Sequence, residues 1–257
     1  MLNKHHVQSM DRLIERASYV AIIGLCALIY FGATYTAHVE AEEEQTVAMY
    51  RAQSVIATRI QQSMNKKLLF ARGLAGAVSI SPDITGAEFS NLSSVIKVED
   101  PSVVNMALVK DSIITHVHPL EENRKFLGRD LSAVPGRPFV LDEVERTGAT
   151  MLEGPTHLLQ GYSGFVIRVP IYEVPPSTYE VSPSTRKGPF WGVASIVFGA
   201  ESFLEEIGLN EFSETYVVSV HVATSLDEGV MLYGDQTEFS NAKITYELPL
   251  PSVMWTL

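Results

Sequence analysis

Three constellations in the sequence carry residue types that do chemistry. Gly161-Tyr162-Ser163-Gly164-Phe165 places a serine between glycines, as a nucleophile elbow does. The elbow also needs a second glycine where Phe165 stands, a strand before the serine and a helix after it. Here an apolar run follows instead, so the stretch reads as a turn entering a strand. His116 and His118 alternate on one short apolar run and would point the same way, as two metal ligands might be arranged. No third cluster of His, Cys or carboxylate stands nearby in sequence, and His118-Pro119 reads as a strand end. Neither a catalytic set, a metal site nor a cofactor is expected.

Arg168 is the third. Alternation puts Phe165, Ile167, Val169 and Ile171 on one strand face, and Val166, Arg168, Pro170 and Tyr172 on the other. An arginine among such neighbours either lies at an exposed sheet edge or faces a polar site, and both readings stand. On a neighbouring run, Gly192 and Ala194 alternate with Trp191 and Val193. Small side chains on one sheet face leave room for a pocket.

These residues must be positioned by a folded body, and the composition allows one. Of 257 residues, 46% are hydrophobic and 19% charged, enough for a sizeable core. The formal net charge of −11 argues against a nucleic-acid partner, because phosphate binding needs clustered Lys and Arg. The single cysteine, Cys26, excludes an intrachain disulfide and lies in an apolar stretch near the N-terminus.

That stretch, Tyr19 to Ala37, carries no charge and is about the length a helix needs to cross a bilayer core. Lys4, Arg12 and Arg16 precede it, which places the N-terminus in the cytoplasm and everything after residue 38 outside. Cleavage after Ala37 would put bulky Tyr35 at a position that wants a small residue, so a retained anchor is expected.

Residues 39–79 lack proline and read as one long helix. Ile56, Ile60, Met64, Leu68, Ala71, Ala75 and Val78 recur at helical spacing. This stripe either packs against the domain it supports or forms the seam of a dimer. A shorter helix follows Thr85, with Glu88 completing a capping box. Val103–Val109 and Ile113–Val117 predict a hairpin, Pro138–Arg146 a helix ended by Gly148, and Ser202–Ile207 another short helix. Phe165–Tyr172, Phe190–Phe198 and Tyr216–Val222 predict strands. Between Glu173 and Pro189 the sequence is rich in Pro, Ser and Thr and reads as an exposed loop. The expected class is α+β: a transmembrane helix, a long stalk helix, then a PAS-like antiparallel sheet with inserted helices. The expected segments are a tail over 1–18, the anchor over 19–37, the stalk over 38–80, the sensor body over 81–225 and further strands over 226–257.

Several short motifs now combine in order: Leu127-Gly128-Arg129-Asp130, Arg146-Thr147-Gly148, Gly154-Pro155, Gln160-Gly161, Arg168-Val169-Pro170, Phe190-Trp191-Gly192 and Gly208-Leu209. Behind a signal anchor, this order resembles the CHASE family, the extracytoplasmic sensory domains of cyclase- and histidine-kinase-associated receptors. The likeness covers about residues 40–222. It implies a stalk helix, a PAS-like ligand-binding fold, a return membrane helix and a cytoplasmic cyclase or kinase domain, the last two lying beyond residue 257. It further implies that ligand is held by Asp130, by main chain at Leu152, and by polar groups at Gln160 and Arg168. Thr147 matches a threonine that supports the fold. A guanidinium at position 168 suits an anionic ligand better than a neutral purine.

The expected function is therefore ligand sensing for a transmembrane receptor of the plasma membrane, with the sensor body periplasmic or extracellular. The expected partners are a small molecule of anionic character, the membrane and a second copy joined through the stalk. The alternative is a membrane-tethered interaction or scaffold protein that binds no small molecule.

Overall fold

A computed structural model of the chain describes residues 2–134, 137–174, 188–224 and 227–257, the side chains of 2–22, 137, 138, 224, 227 and 228 left aside. Most of the expected Pro/Ser/Thr loop, at 175–187, lies outside the described residues. So do the side chains of 19–22, at the start of the expected membrane span. The chain falls into two units, Met1–Arg51 and Ala52–Leu257.

The first unit is the beginning of a single helix, α1 (Leu2–Ile80). Among its described side chains the apolar ones face outward, with Ile23 67% and Phe31 72% exposed. Among the described residues no helix is long and apolar enough to cross a membrane.

In the second unit the last third of α1 becomes structural. All seven stripe residues are buried, Ile60 and Val78 completely, in one core with two β-sheets. Intramolecular packing therefore wins over the dimer seam at these positions: a side chain already covered by its own chain has no face left for a second copy. After α1, Thr85 caps α2 (Gly86–Glu99) reciprocally with Glu88, as the capping box predicts. The hairpin β1 (Val103–Lys110) and β2 (Ile113–His118) follows. A connection with the one-turn helix α3 (Leu120–Asn123) and two 3-10 turns leads to α4 (Arg137–Thr147). Then come β3 (Met151–His157), β4 (Ser163–Tyr172) and β5 (Phe190–Gly199). The first sheet has the order β2-β1-β5-β4-β3 and is antiparallel throughout.

Two short helices, α5 (Ala200–Glu206) and α6 (Leu209–Ser213), lead to a second antiparallel sheet. It comprises β6 (Val220–Thr224), β7 (Asp227–Tyr233), β8 (Glu247–Leu250) and β9 (Val253–Thr256), in the order β7-β6-β9-β8, with α7 (Gln236–Ser240) inserted. The strand predicted over Tyr216–Val222 starts later, at Val220, because Thr215 and Tyr216 close the turn after α6 onto Phe212. The fold is α+β with two antiparallel sheets, where the sequence predicted one. Both sheets share the core with α1. Trp255 of β9, fully buried, lies 5.4 Å from the ring of Phe165 on β4 and 5.5 Å from Phe203 on α5.

A charged pair, Lys67 and Asp100, is buried beside that core. Lys67 of α1 is 0% exposed, and its Nζ donates to Glu206 Oε2 (2.6 Å), Ser63 Oγ (3.0 Å) and Asp100 Oδ2 (3.1 Å). Ser63 in turn donates to Glu206 Oε1 at 2.8 Å. The ammonium thus ties α1 to the C-cap of α2 and to the end of α5. Burial pushes the Asp100 carboxyl up, but the Ser102 hydrogen bond and the Lys67 charge outweigh it and hold it below its ordinary value. Removing the ammonium leaves the buried Asp100 carboxylate with the more distant Lys66 (3.6 Å) and strips the partly exposed Glu206 of its 2.6 Å partner. Lys67→Met should destabilise the protein by about 3–5 kcal/mol at neutral pH in urea unfolding. A change under about 1 kcal/mol would mean water already reaches the pair. Because the Asp100 value is lowered in the folded state, its contribution is present above the ordinary aspartate range and is lost as pH falls through the folded value. The stability gap between wild type and Asp100→Asn should therefore shrink on acidification. A gap independent of pH would contradict the assignment.

Candidate ligand cavity

The first sheet has two faces. Phe165, Ile167, Val169 and Ile171 of β4 face α1 with Met106, Leu108, Ile196 and Phe198. The other face carries Ala107 and Val109 of β1, Val166 and Arg168 of β4, and Val193, Ser195 and Val197 of β5. The chain between β2 and β4 folds over this second face. Between them lies a cavity of about 50 Å³, walled by these side chains and by Ile114, Val117, Phe126, Leu131 and the Leu158–Gln160 segment.

Arg168 is not at an edge. It is 3% exposed on an interior strand, and its Nε donates to Glu153 Oε2 of β3 at 3.2 Å. Its Nη1 donates to Ser195 Oγ at 3.2 Å, directly across the strand pair β4–β5. Gln160 lines the cavity from the turn before β4, its Nε2 donating to Asn123 Oδ1 at 3.4 Å. Asn123 is buried and anchored by donating to the Pro119 carbonyl.

The structure brings Gln160 and Arg168 together at this cavity, whereas Asp130 and Leu152 lie elsewhere. Asp130 is exposed and caps a 3-10 turn, accepting from the Ser132 amide at 2.7 Å. Its hydrogen bonds to Ser132 hold its carboxyl below the ordinary value. The neighbouring Leu131 is the residue that reaches the cavity wall. Leu152 points into the core shared with α1, and its N–H is taken by the Pro251 carbonyl (3.1 Å) and Ser252 Oγ (3.0 Å). Its main chain, on the edge strand β3, holds the turn between β8 and β9. Thr147 closes α4, its hydroxyl donating to the Glu143 carbonyl.

The pocket face is also not where small residues predicted it. Ala194 lies in the core against α1, because it pairs with Val169, whose side chain faces α1; the bulge at Trp191 turns the indole onto the same face. Gly192, at φ +149°, makes the bulge possible: a Cβ there would collide with the Val109 carbonyl.

Three residues at the site are absent from the sequence reading. Glu153 neutralises Arg168, and Ser195 accepts from it. Asn105 of β1 is 3% exposed, lines the cavity and has no hydrogen-bond partner for its Oδ1 among the described residues. The signal for Asn105 was its place as the one polar residue inside the apolar run Val103–Val109.

The other chemical constellations dissolve. His116 and His118 turn toward α2 and away from the cavity: His116 meets the Ile84 carbonyl at 3.1 Å and the Phe89 ring, and His118 Nδ1 meets Ser90 Oγ at 2.9 Å. Burial lowers both imidazole values. Among the described residues no group of three or more His, Cys, Asp or Glu could hold a metal ion. Ser163 is exposed at the start of β4, with strand after it. A wider open cleft of about 580 Å³ runs past Tyr162, Ser163, Glu201, Ser202 and Met231, but those four polar side chains are all exposed. Of these two, the smaller cavity is the one that gathers buried polar groups among the described residues.

The CHASE domain family model matches residues 30–233. Solved structures similar to the chain are sensory domains. An extracellular ligand-binding receptor from Desulfohalobium retbaense shares 13% identity at TM-score 0.57, over 79% of this chain and 38% of that one. The ligand-binding domain of the Pseudomonas aeruginosa amino acid chemoreceptor PctC, in complex with GABA, shares 12% identity at TM-score 0.52, over 80% of this chain and 97% of that one. That of the Pseudomonas fluorescens chemoreceptor CtaA, in complex with L-serine, shares 15% identity at TM-score 0.50, over 79% and 90%. Identities this low establish a shared fold. No curated protein matches the chain. With the family match spanning most of its length, the chain belongs to the CHASE domain family and is an extracellular ligand-sensing signalling module.

Proposed function

We propose that this module is the sensory part of a transmembrane receptor, and that its ligand is a small molecule held in the cavity over the first sheet. The observation that carries this reading is the convergence of Arg168, Ser195 and Asn105, all buried, on one apolar-walled space. A sheet face with no role would be filled with hydrocarbon, because buried polar groups cost free energy unless they are used. Gln160 completes the polar rim. The expectation of an anionic ligand rested on the Arg168 charge, and the Glu153 carboxylate at 3.2 Å already answers that charge.

The N-terminal part is the membrane anchor in this reading. Outward-facing Ile23, Leu28, Ile29 and Phe31 suit a lipid environment better than water. Lys4, Arg12 and Arg16 keep the N-terminus cytoplasmic, so the cavity is periplasmic or extracellular. A phosphatase fused after Leu257 should be active; an inactive fusion there reverses the topology. Pairing of two copies would use the outward face of α1, where Leu69 and Ile80 are exposed and Gly73 and Gly76 have open space beside them.

The cavity reading has a direct test. Ala107 lines the wall and is buried, so Ala107→Leu fills the space at an overpacking cost of about 1–3 kcal/mol. A metabolite that stabilises the wild type in a thermal-shift screen, by about 2.7 kcal/mol at a hundredfold excess over Kd, should have no effect on the folded variant. Stabilisation that persists in the variant would place the ligand elsewhere.

A further inference from the structure

We infer that the cavity recognises an uncharged molecule bearing an N–H donor, such as a carboxamide, and that Asn105 Oδ1 is the acceptor. The inference rests on the reading of this cavity as the ligand site and goes beyond it by naming the ligand's chemistry. Three observations carry it. Among the described residues Arg168 is the one charged residue lining the cavity, and it is paired with Glu153. An anion entering there would compete with a carboxylate already in place, while a cation would meet the guanidinium. Next, Asn105 is 3% exposed and its Oδ1 has no partner among the described residues. A buried acceptor without a donor is penalised until something donates to it, and no described protein group does so. Finally, about 50 Å³ is room for roughly three to five water-sized groups. The remaining walls near Asn105, including Ala107, Val166 and Val197, are apolar and ask for no further charge.

A carboxamide matches this inventory on both sides. Its N–H donates to Asn105, and its carbonyl can accept from the Gln160 side chain. A carboxylate of the same shape offers acceptors only, and faces Asn105 Oδ1 with like polarity.

Acetamide and acetate have the same shape and the same number of non-hydrogen atoms, and so isolate the donor and the charge. Each is titrated into the full chain while the methyl resonances of Ala107 and Val197 are followed by NMR. Acetamide should shift both methyls saturably, with a Kd lower than that of acetate by about tenfold or more, as one unmet buried hydrogen bond implies. Asn105→Leu should weaken acetamide by about the same factor, while its melting temperature holds or rises because an unsatisfied polar group has been removed. Acetate binding as well as acetamide overturns the inference, and so does acetamide binding unchanged in Asn105→Leu; both leave the cavity as the site. The wild-type comparison decides even if the variant does not fold. Perturbation of neither methyl by either probe overturns the inference together with the site reading.

Discussion

A buried ammonium constrains how this domain is put together. The apolar stripe of α1 repeats every three or four residues, so hydrophobic contact alone would tolerate a helix displaced by one turn along the sheets. Lys67 breaks that degeneracy. Its charge can enter the core only where Asp100, Glu206 and Ser63 await it, and those carboxylates sit at the ends of two other helices. Burial of ion pairs contributes little net stability compared with hydrocarbon, but a mismatched one is very costly. The set therefore acts by excluding wrong registers. It also makes three segments distant in sequence agree on one arrangement.

Once α1 is in register, the division of labour between the sheet faces follows. The face against α1 is closed by large apolar side chains and by the aromatic contacts that join Phe165, Phe203 and Trp255. The opposite face is covered by a connection with short helices and turns, a less regular surface that leaves a void. Buried Arg168, Ser195 and Asn105 fall on that face because strand alternation allows nowhere else for them. Leu152 and Ser252 add a second constraint, fastening the edge strand β3 to the second sheet so that Glu153 stays beside Arg168.

How much of this was legible in the sequence depended on the range of the interaction. Local signals were read well: the capping box at Thr85 and Glu88, the hairpin at Lys110–Ser112, and the two faces of β4 all follow from spacing within a few residues. The stripe on α1 was visible, but whether it met its own sheets or another chain was not, since the pattern is the same in both cases. Met151–His157 did not read as a strand because Gly154-Pro155 interrupts it, so the partner of Arg168 was hidden. Without Glu153 the arginine looked like an anion receptor. Ala194 was assigned to the pocket face from its small size alone, whereas its face is set by pairing with Val169 on another strand, which local spacing does not reveal. Asp130 and Leu152 came from family resemblance alone, and their surroundings depend on contacts with Ser132 and Ser252 that resemblance does not carry. Asn105 was passed over because both faces of its strand are covered, and in such a run one polar residue breaks no pattern.

The central claim is that the sensed molecule lies over the first sheet, on the face away from α1. Intermolecular nuclear Overhauser effects locate a bound ligand by direct proximity and do not depend on altering the protein. With any bound metabolite, the account predicts such effects to the methyls of Ala107, Val166 and Val197 together. Effects confined to the methyls of Met231 and Leu232, in the open cleft, would contradict it.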